Sequence, residues 1–150
     1  MTTLVVGIGN DLRGDDAAGL EVARRLRAAG VRAVGCAGDP SGLLDVWDGE
    51  RDVILVDAVR SGTAAGTLHR LDARARPLPA RLLRGSTHHV GVADAVELGR
   101  ALGRLPERLS LIGIEGEAFA TGQGLSPAVG RAVAAVAAEL TREIGSRRDA

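Results

Sequence analysis

A single α/β domain spanning residues 1–150, built on a twisted, mostly parallel sheet flanked by helices, follows from three observations on this 150-residue chain. Strand-like and helix-like segments alternate along its whole length, the pattern of a layered α/β sandwich. Leu4 to Ile8, Val53 to Val56 and Leu109 to Ile114 are short runs dominated by Val, Ile and Leu. Such runs are expected of strands buried on both faces, as in a parallel sheet. The third observation concerns chemistry: Asp15 and Asp16 follow the first run and Asp57 follows the second. Ligands of open α/β sheets bind just beyond the carboxyl ends of the strands, so these acids are placed where function is expected.

Each element can be justified in order. Leu4 to Ile8 is the first strand. A helix is expected from about Asp16 to Ala29, with Gly19, Val22, Ala23 and Leu26 on one face and Gly30 ending it in a left-handed cap. Val31 to Cys36 reads as a short second strand. Asp39-Pro40-Ser41 is a turn into a helix through Leu43, Leu44, Val46 and Trp47, with Ser41 as the candidate N-cap. Val53 to Val56 is the central strand. Gly66 to Leu71 is a further strand, entered through a Ser61-Gly62 turn. Arg74 to Arg84 carries two prolines and four arginines and reads as an exposed connection. A helix from Val90 to Leu102, a last strand from Leu109 to Ile114 and a last helix from Ser126 to Ile144 complete the series. In that last helix Val129, Val133, Val136 and Leu140 form an apolar stripe, and the polar tail from Ser146 to Ala150 is expected to fray.

Composition narrows the function classes. The chain is 45 % hydrophobic and 25 % charged with a net charge of zero, which leaves no electrostatic footprint for nucleic acid or an acidic membrane surface. No apolar stretch approaches the roughly 20 residues that span a bilayer. The start of the sequence lacks the pattern of a signal peptide, and the single cysteine, Cys36, excludes an internal disulfide; both suit a cytoplasmic protein. All 19 basic residues are arginine, so Schiff-base chemistry, a Ser–Lys dyad and a P-loop lysine are absent. There is no tyrosine and only one phenylalanine and one tryptophan, too few aromatics for stacking on single-stranded nucleic acid.

The chemistry-bearing residues each have a plain and a functional explanation. Gly7-Ile8-Gly9-Asn10-Asp11-Leu12 opens like a dinucleotide fingerprint but has Leu12 where the third glycine belongs, and no acid closes the second strand. The two glycines are explained by a sharp turn of the backbone after the strand. Asp15 and Asp16 are explained by the helix dipole, which favours acids at a helix N-terminus. Asp57 is harder to explain structurally, because a carboxylate directly after four buried aliphatics is costly to desolvate unless paired. His88 and His89 lie in a loop-like stretch, while His69 sits in a strand and reads as structural. Cys36 reads as a small core residue rather than a nucleophile. Glu115, after Ile112-Gly113-Ile114, either lines the same cleft or caps a loop. Two acids and a histidine gathered at one end of a sheet would form an oxygen/nitrogen site for a transition metal.

Taken in sequence, these segments resemble a known family. Gly7-Ile8-Gly9-Asn10-Asp11-Leu12-Arg13-Gly14-Asp15-Asp16-Ala17-Ala18-Gly19 is similar to the N-terminal signature of the [NiFe]-hydrogenase maturation endopeptidases. Val56-Asp57-Ala58, Ser86-Thr87-His88 and Gly113-Ile114-Glu115 follow in that family's order and spacing, so that the resemblance runs from Leu4 to about Ile144. It implies a phosphorylase/hydrolase-like α/β fold and an activity that removes the C-terminal extension of a [NiFe]-hydrogenase large-subunit precursor after nickel insertion. It further implies Asp16, Asp57 and His88 as metal ligands and catalytic groups. The metal would be nickel carried by the precursor, for which another divalent ion could stand in outside the cell. At the family's ligand position stands His88, leaving His89 to line the cleft or stand behind the ligands, with simple surface exposure as its plain explanation. Asn10 and the glycine-rich turn would offer backbone donors to the peptide. One departure concerns a stretch linked in the family to target recognition: Ala37-Gly38-Asp39-Pro40-Ser41-Gly42 keeps the final glycine and a shifted acid, Asp39. Two other readings compete, a non-catalytic metal-sensing or chaperone-like module for hydrogenase assembly and a nucleotide-binding α/β protein using the first loop.

Overall fold

Alternating aliphatic residues place two helical layers on opposite faces of one sheet. The computed structural model describes residues 2–79, 82 and 89–148. Its strands are β1 (Thr3–Ile8), β2 (Ala33–Cys36), β3 (Asp52–Val59), β4 (Leu68–Asp72) and β5 (Arg108–Glu115). The helices are α1 (Ala18–Ala28), preceded by a 3-10 turn at Gly14–Ala17, then α2 (Pro40–Trp47), α3 (His89–Leu102) and α4 (Pro127–Arg148). Strand order is β2-β1-β3-β5-β4, with β4 alone antiparallel.

Side chains alternate across a strand, so each run divides between the layers. Val5, Ile54, Val56, Ala58, Ile112 and Ile114 pack with Val22 and Leu26 of α1 and with Val129, Val133 and Leu140 of α4. Leu4, Val6, Ile8, Val53, Leu55, Leu109 and Leu111 pack with Leu43, Leu44 and Trp47 of α2 and with Val92, Ala95 and Val96 of α3. By the same alternation Asp57, between Val56 and Ala58, belongs to the α2/α3 face.

The glycines of the first segment work by close approach rather than by turning. Neither Gly7 nor Gly9 has a positive φ. A Cβ on Gly7 would lie 2.1 Å from the Gly19 carbonyl oxygen, and one on Gly19 would lie 2.2 Å from the Val56 oxygen and 2.4 Å from the Ile8 oxygen. The two glycines therefore let the start of α1 settle directly onto the backbones of β1 and β3.

Several boundaries differ from expectation for physical reasons. β3 continues beyond Val56 to Val59, because β5 pairs with it residue for residue from Asp52↔Arg108 to Val59↔Glu115. Asp57 and Glu115 consequently sit inside strands rather than after them. The N-cap of α2 is Asp39, not Ser41: its carboxylate accepts from the Gly42 amide at 2.9 Å, with Pro40 at the first helical position. These bonds, from Gly42 and from the Ser41 hydroxyl, hold the Asp39 carboxyl below its ordinary pKa. The 3-10 turn takes the residues expected to start α1, and α4 runs through Arg148, past the point where fraying was expected. The edge strand is Leu68–Asp72 rather than Gly66 to Leu71.

Candidate active site

Asp57 arrives at the carboxyl end of the sheet on the central strand and is buried, at 2 % exposure. Asp16 arrives from β1 through the Gly14–Ala17 turn, and it too is 2 % exposed. Its backbone is fastened to the end of β1. The Asn10 amide donates to the Asp16 carbonyl at 3.2 Å, and a Cβ on Gly9 would meet that carbonyl oxygen at 2.1 Å. The turn also packs against β3. Asp16 and Asp57 thus reach the same end of the sheet. Among the described residues no three His, Cys, Asp or Glu side chains are grouped as a metal site. His88, the third expected ligand, and the Ser86-Thr87 segment lie outside the described residues. α3 begins at His89, on the face that Asp57 shares, and a Cβ on Gly91 would meet the Gly38 carbonyl oxygen at 2.2 Å. The start of α3 is thereby fixed against the loop that leaves the carboxyl end of β2.

Asp15 takes a part that the helix dipole does not explain. It is fully buried, and its carboxylate accepts four hydrogen bonds. Oδ2 takes the Glu117 and Ala118 amides and the Ser126 hydroxyl, each at 2.9 Å, and Oδ1 takes the Ser126 amide at 2.7 Å. It ties the loop after β1 to the loop after β5. Next to it, Phe119 in that second loop lies under the Arg60 guanidinium, 5.2 Å from the ring centre.

Glu115 caps a loop, the second of its two expected readings. At 1 % exposure it accepts from the Ser61 amide (2.8 Å) and hydroxyl (2.6 Å), the Gly62 amide (3.2 Å), the Thr63 hydroxyl (2.8 Å) and His69 Nε2 (3.1 Å). Burial pushes its pKa up, but the bonds from Ser61, Thr63 and His69 outweigh that and hold the carboxyl below its ordinary value. His69 was expected to be merely structural. Register places it in one row with the predicted site, Asp57 opposite Gly113 and Gly113 opposite His69. That row joins residues from three strands, so spacing in the sequence carried no sign of it. The one available signal was Glu115 itself, an acid closing a buried run as Asp57 does.

The first loop has little to offer a phosphate or a peptide. The amides of Gly9, Asn10, Arg13, Asp15 and Asp16 all donate to backbone carbonyls, and the Leu12 amide donates to Asn10 Oδ1. Asn10 therefore closes its own turn, and neither the expected peptide donors nor the nucleotide reading is favoured. Cys36 is half-buried, and burial pushes its thiol up against the backbone bonds from Gly38 and Ala37, so it is not an activated thiolate. A groove of about 680 Å³ opens at the other end of the sheet, beside Leu140 and Glu143 of α4. Asp52, Arg70 and Asp72 in its lining are already bonded to Thr3, Glu139 and the Arg74 and Ala75 amides, respectively. Hydrolytic chemistry is better placed at the carboxyl end.

A mostly parallel sheet that brings buried carboxylates to its carboxyl end, with no Ser/His/Asp or Cys/His nucleophile set among the described residues, is the frame of an α/β hydrolase rather than of a nucleotide-binding protein. Comparison with known proteins makes this specific. The family model for hydrogenase maturation protease matches residues 24–143. Hydrogenase expression/formation protein HupD of Rhodobacter capsulatus is 30 % identical over 149 aligned positions, covering 94 % of this chain and 70 % of that protein. Hydrogenase 2 maturation protease of Escherichia coli K12 is 31 % identical over 138, covering 86 % and 82 %. Among solved structures, the [NiFe] hydrogenase maturation protease HybD from Thermococcus kodakarensis superposes with a TM-score of 0.77 at 25 % identity over 96 % of this chain and 99 % of that one. The hydrogenase maturating endopeptidase HybD from E. coli gives 0.74 at 29 % over 95 % and 94 %. This chain belongs to the hydrogenase maturation protease family and is a peptide hydrolase.

Proposed function

We propose that this protein removes the C-terminal extension from the large-subunit precursor of a [NiFe]-hydrogenase once nickel has been inserted. The observation that carries the reading is the delivery of two buried acids, Asp16 and Asp57, to one end of the sheet by two different elements. His88 directly precedes α3, whose first turn is anchored by Gly91 at that same end, and it supplies the third ligand. Two carboxylates and an imidazole suit nickel, and three protein ligands leave positions open for groups of the precursor. The nickel is cargo of the substrate. Bound between the precursor and these side chains, it would polarise the carbonyl of the bond to be cut.

The chain's own residues then orient the substrate. Asp57 is fixed by the paired backbone of β3 and β5, and Asp16 by the Asn10 and Gly9 contacts to its carbonyl. The backbones that carry these two carboxylates are therefore fixed before the substrate arrives. Because three ligands hold the ion weakly without the precursor's own groups, cleavage waits for a loaded substrate. No helix among the described residues is long and apolar enough to cross a membrane, and we assign the activity to the cytoplasm. Incubation with nickel-loaded and nickel-free precursor tests the function. Removal of the extension from the loaded form alone is expected. Equal processing of both forms, with trace metals chelated, would refute the nickel checkpoint.

A further inference from the structure

With Asp16, Asp57 and His88 engaged on the metal in the reading above, the proton of an attacking water falls to another group. We infer that His69, oriented by Glu115, is that general base. The inference rests on the proposed processing of the precursor and adds a catalytic residue to it. Three observations support it.

The first is position. His69 and Asp57 flank Gly113 in one cross-strand row, so their side chains rise from the same face of the sheet at the same end. Over Gly113 leans the Val59 side chain, whose Cγ1 lies 2.9 Å from where a Cβ on that glycine would stand. Adjacent strands are about 4.8 Å apart, which puts the two backbones about 10 Å apart. A peptide bound at this end of the sheet would cross the row that the two residues share.

The second is tautomer. Nε2 of His69 lies 3.1 Å from Glu115 Oε1, a carboxylate kept ionised by the bonds it accepts. A carboxylate oxygen can only accept, so Nε2 carries the hydrogen and the neutral ring keeps its lone pair on Nδ1. Nδ1 has no hydrogen-bond partner among the described residues. This is the division of labour in any carboxylate–histidine pair, one nitrogen oriented by the acid and the other left to act.

The third is access. The His69 side chain is 15 % exposed while that of Glu115 is 2 % exposed, so solvent reaches the base and not the acid that orients it. The step balances. Nδ1 takes a proton from water as the oxygen bonds to the scissile carbonyl carbon. The carbon–nitrogen bond then breaks, and the proton passes from Nδ1 to the leaving amine, giving a new carboxyl terminus and a free peptide.

The test uses full-length protein and nickel-loaded precursor. His69→Ala is expected to lower turnover by about 10²- to 10⁴-fold, the usual contribution of a general base. Precursor affinity, read by fluorescence anisotropy, should stay within about twofold. Added imidazole should restore turnover at least tenfold, a response that a purely structural histidine would not give. Turnover within threefold of wild type overturns the assignment, and so does a loss that imidazole leaves untouched. A wild-type protein that leaves loaded precursor intact removes the processing role and this base with it. Normal wild-type cleavage with a fully active His69→Ala removes the base alone.

Discussion

Replacing Asp15 should unfold the protein far more readily than replacing its neighbour Asp16, although both are buried aspartates in one turn. Asp15→Ala strands the donors now satisfied by its carboxylate: the Glu117, Ala118 and Ser126 amides and the Ser126 hydroxyl. At about 1 kcal/mol net for each bond the loss is about 4 kcal/mol. With a urea dependence of about 2 kcal/mol per M, the unfolding midpoint should fall by about 2 M. Asp15→Asn is milder and its sign can be worked out. With its oxygen at the Oδ2 position it keeps the Glu117, Ala118 and Ser126 hydroxyl bonds, but its amino group then faces the Ser126 amide, donor against donor. One bond and the charge assistance are lost, about 2 kcal/mol or about 1 M in midpoint. Asp16→Asn keeps the shape of a residue assigned to metal, so its midpoint should move by less than about 0.5 M while cleavage is lost. Urea titrations followed by circular dichroism give the three numbers. A drop below about 0.5 M for Asp15→Ala, or a larger drop for Asp16→Asn than for Asp15→Asn, would refute the division of labour between the two.

Other consequences can be checked by similar means. Gly19→Ala should destabilise despite alanine's better helix propensity, because the new Cβ meets the Val56 and Ile8 carbonyls at 2.2 and 2.4 Å. A cost of about 3 kcal/mol, or about 10 °C in melting temperature, is expected by calorimetry. Glu115 has a folded-state pKa below its ordinary 4.5, so its contribution is complete above that value and fades as pH falls through the folded-state value. Unfolding titrations at pH 6 and pH 3 should therefore differ less for Glu115→Gln than for wild type, and an equal difference would contradict the capping role. Asp57→Asn should keep the wild-type circular dichroism spectrum and lose most cleavage of loaded precursor, since the amide keeps the shape and removes the charge.

The centre of the sheet was legible because β1, β3 and β5 are written as runs dominated by aliphatic residues, and the sequence placed Asp57 near the end of one of them. Its inclusion within β3 depends on pairing with β5, more than fifty residues away, which no local pattern records. The same applies to Asp15, whose donors lie beyond residue 116, and to the row through Asp57, Gly113 and His69. For Asp15 the helix dipole was a reasonable local explanation, but tertiary contacts decided otherwise. Gly7 and Gly9 were recognised as special for a reason that proved secondary, since what they allow is contact with α1 and its preceding turn. For α2, the proline at the first helical position moved the cap two residues back from the serine, to Asp39. The antiparallel edge strand β4 was recognisable as a strand but not in direction, because direction is a property of its partner.

The central claim, that Asp16, Asp57 and His88 hold one ion together, is tested most directly by metal binding to the isolated protein. Calorimetric titration with nickel or cadmium should give one site per chain in the wild type. Asp16→Asn, Asp57→Asn and His88→Ala should each abolish it or weaken it sharply. His89→Ala should weaken it by no more than the roughly tenfold to hundredfold typical of a residue behind the ligands. Loss of the site in His89→Ala with near-normal binding in His88→Ala would contradict the assignment, as would unchanged binding in either aspartate variant.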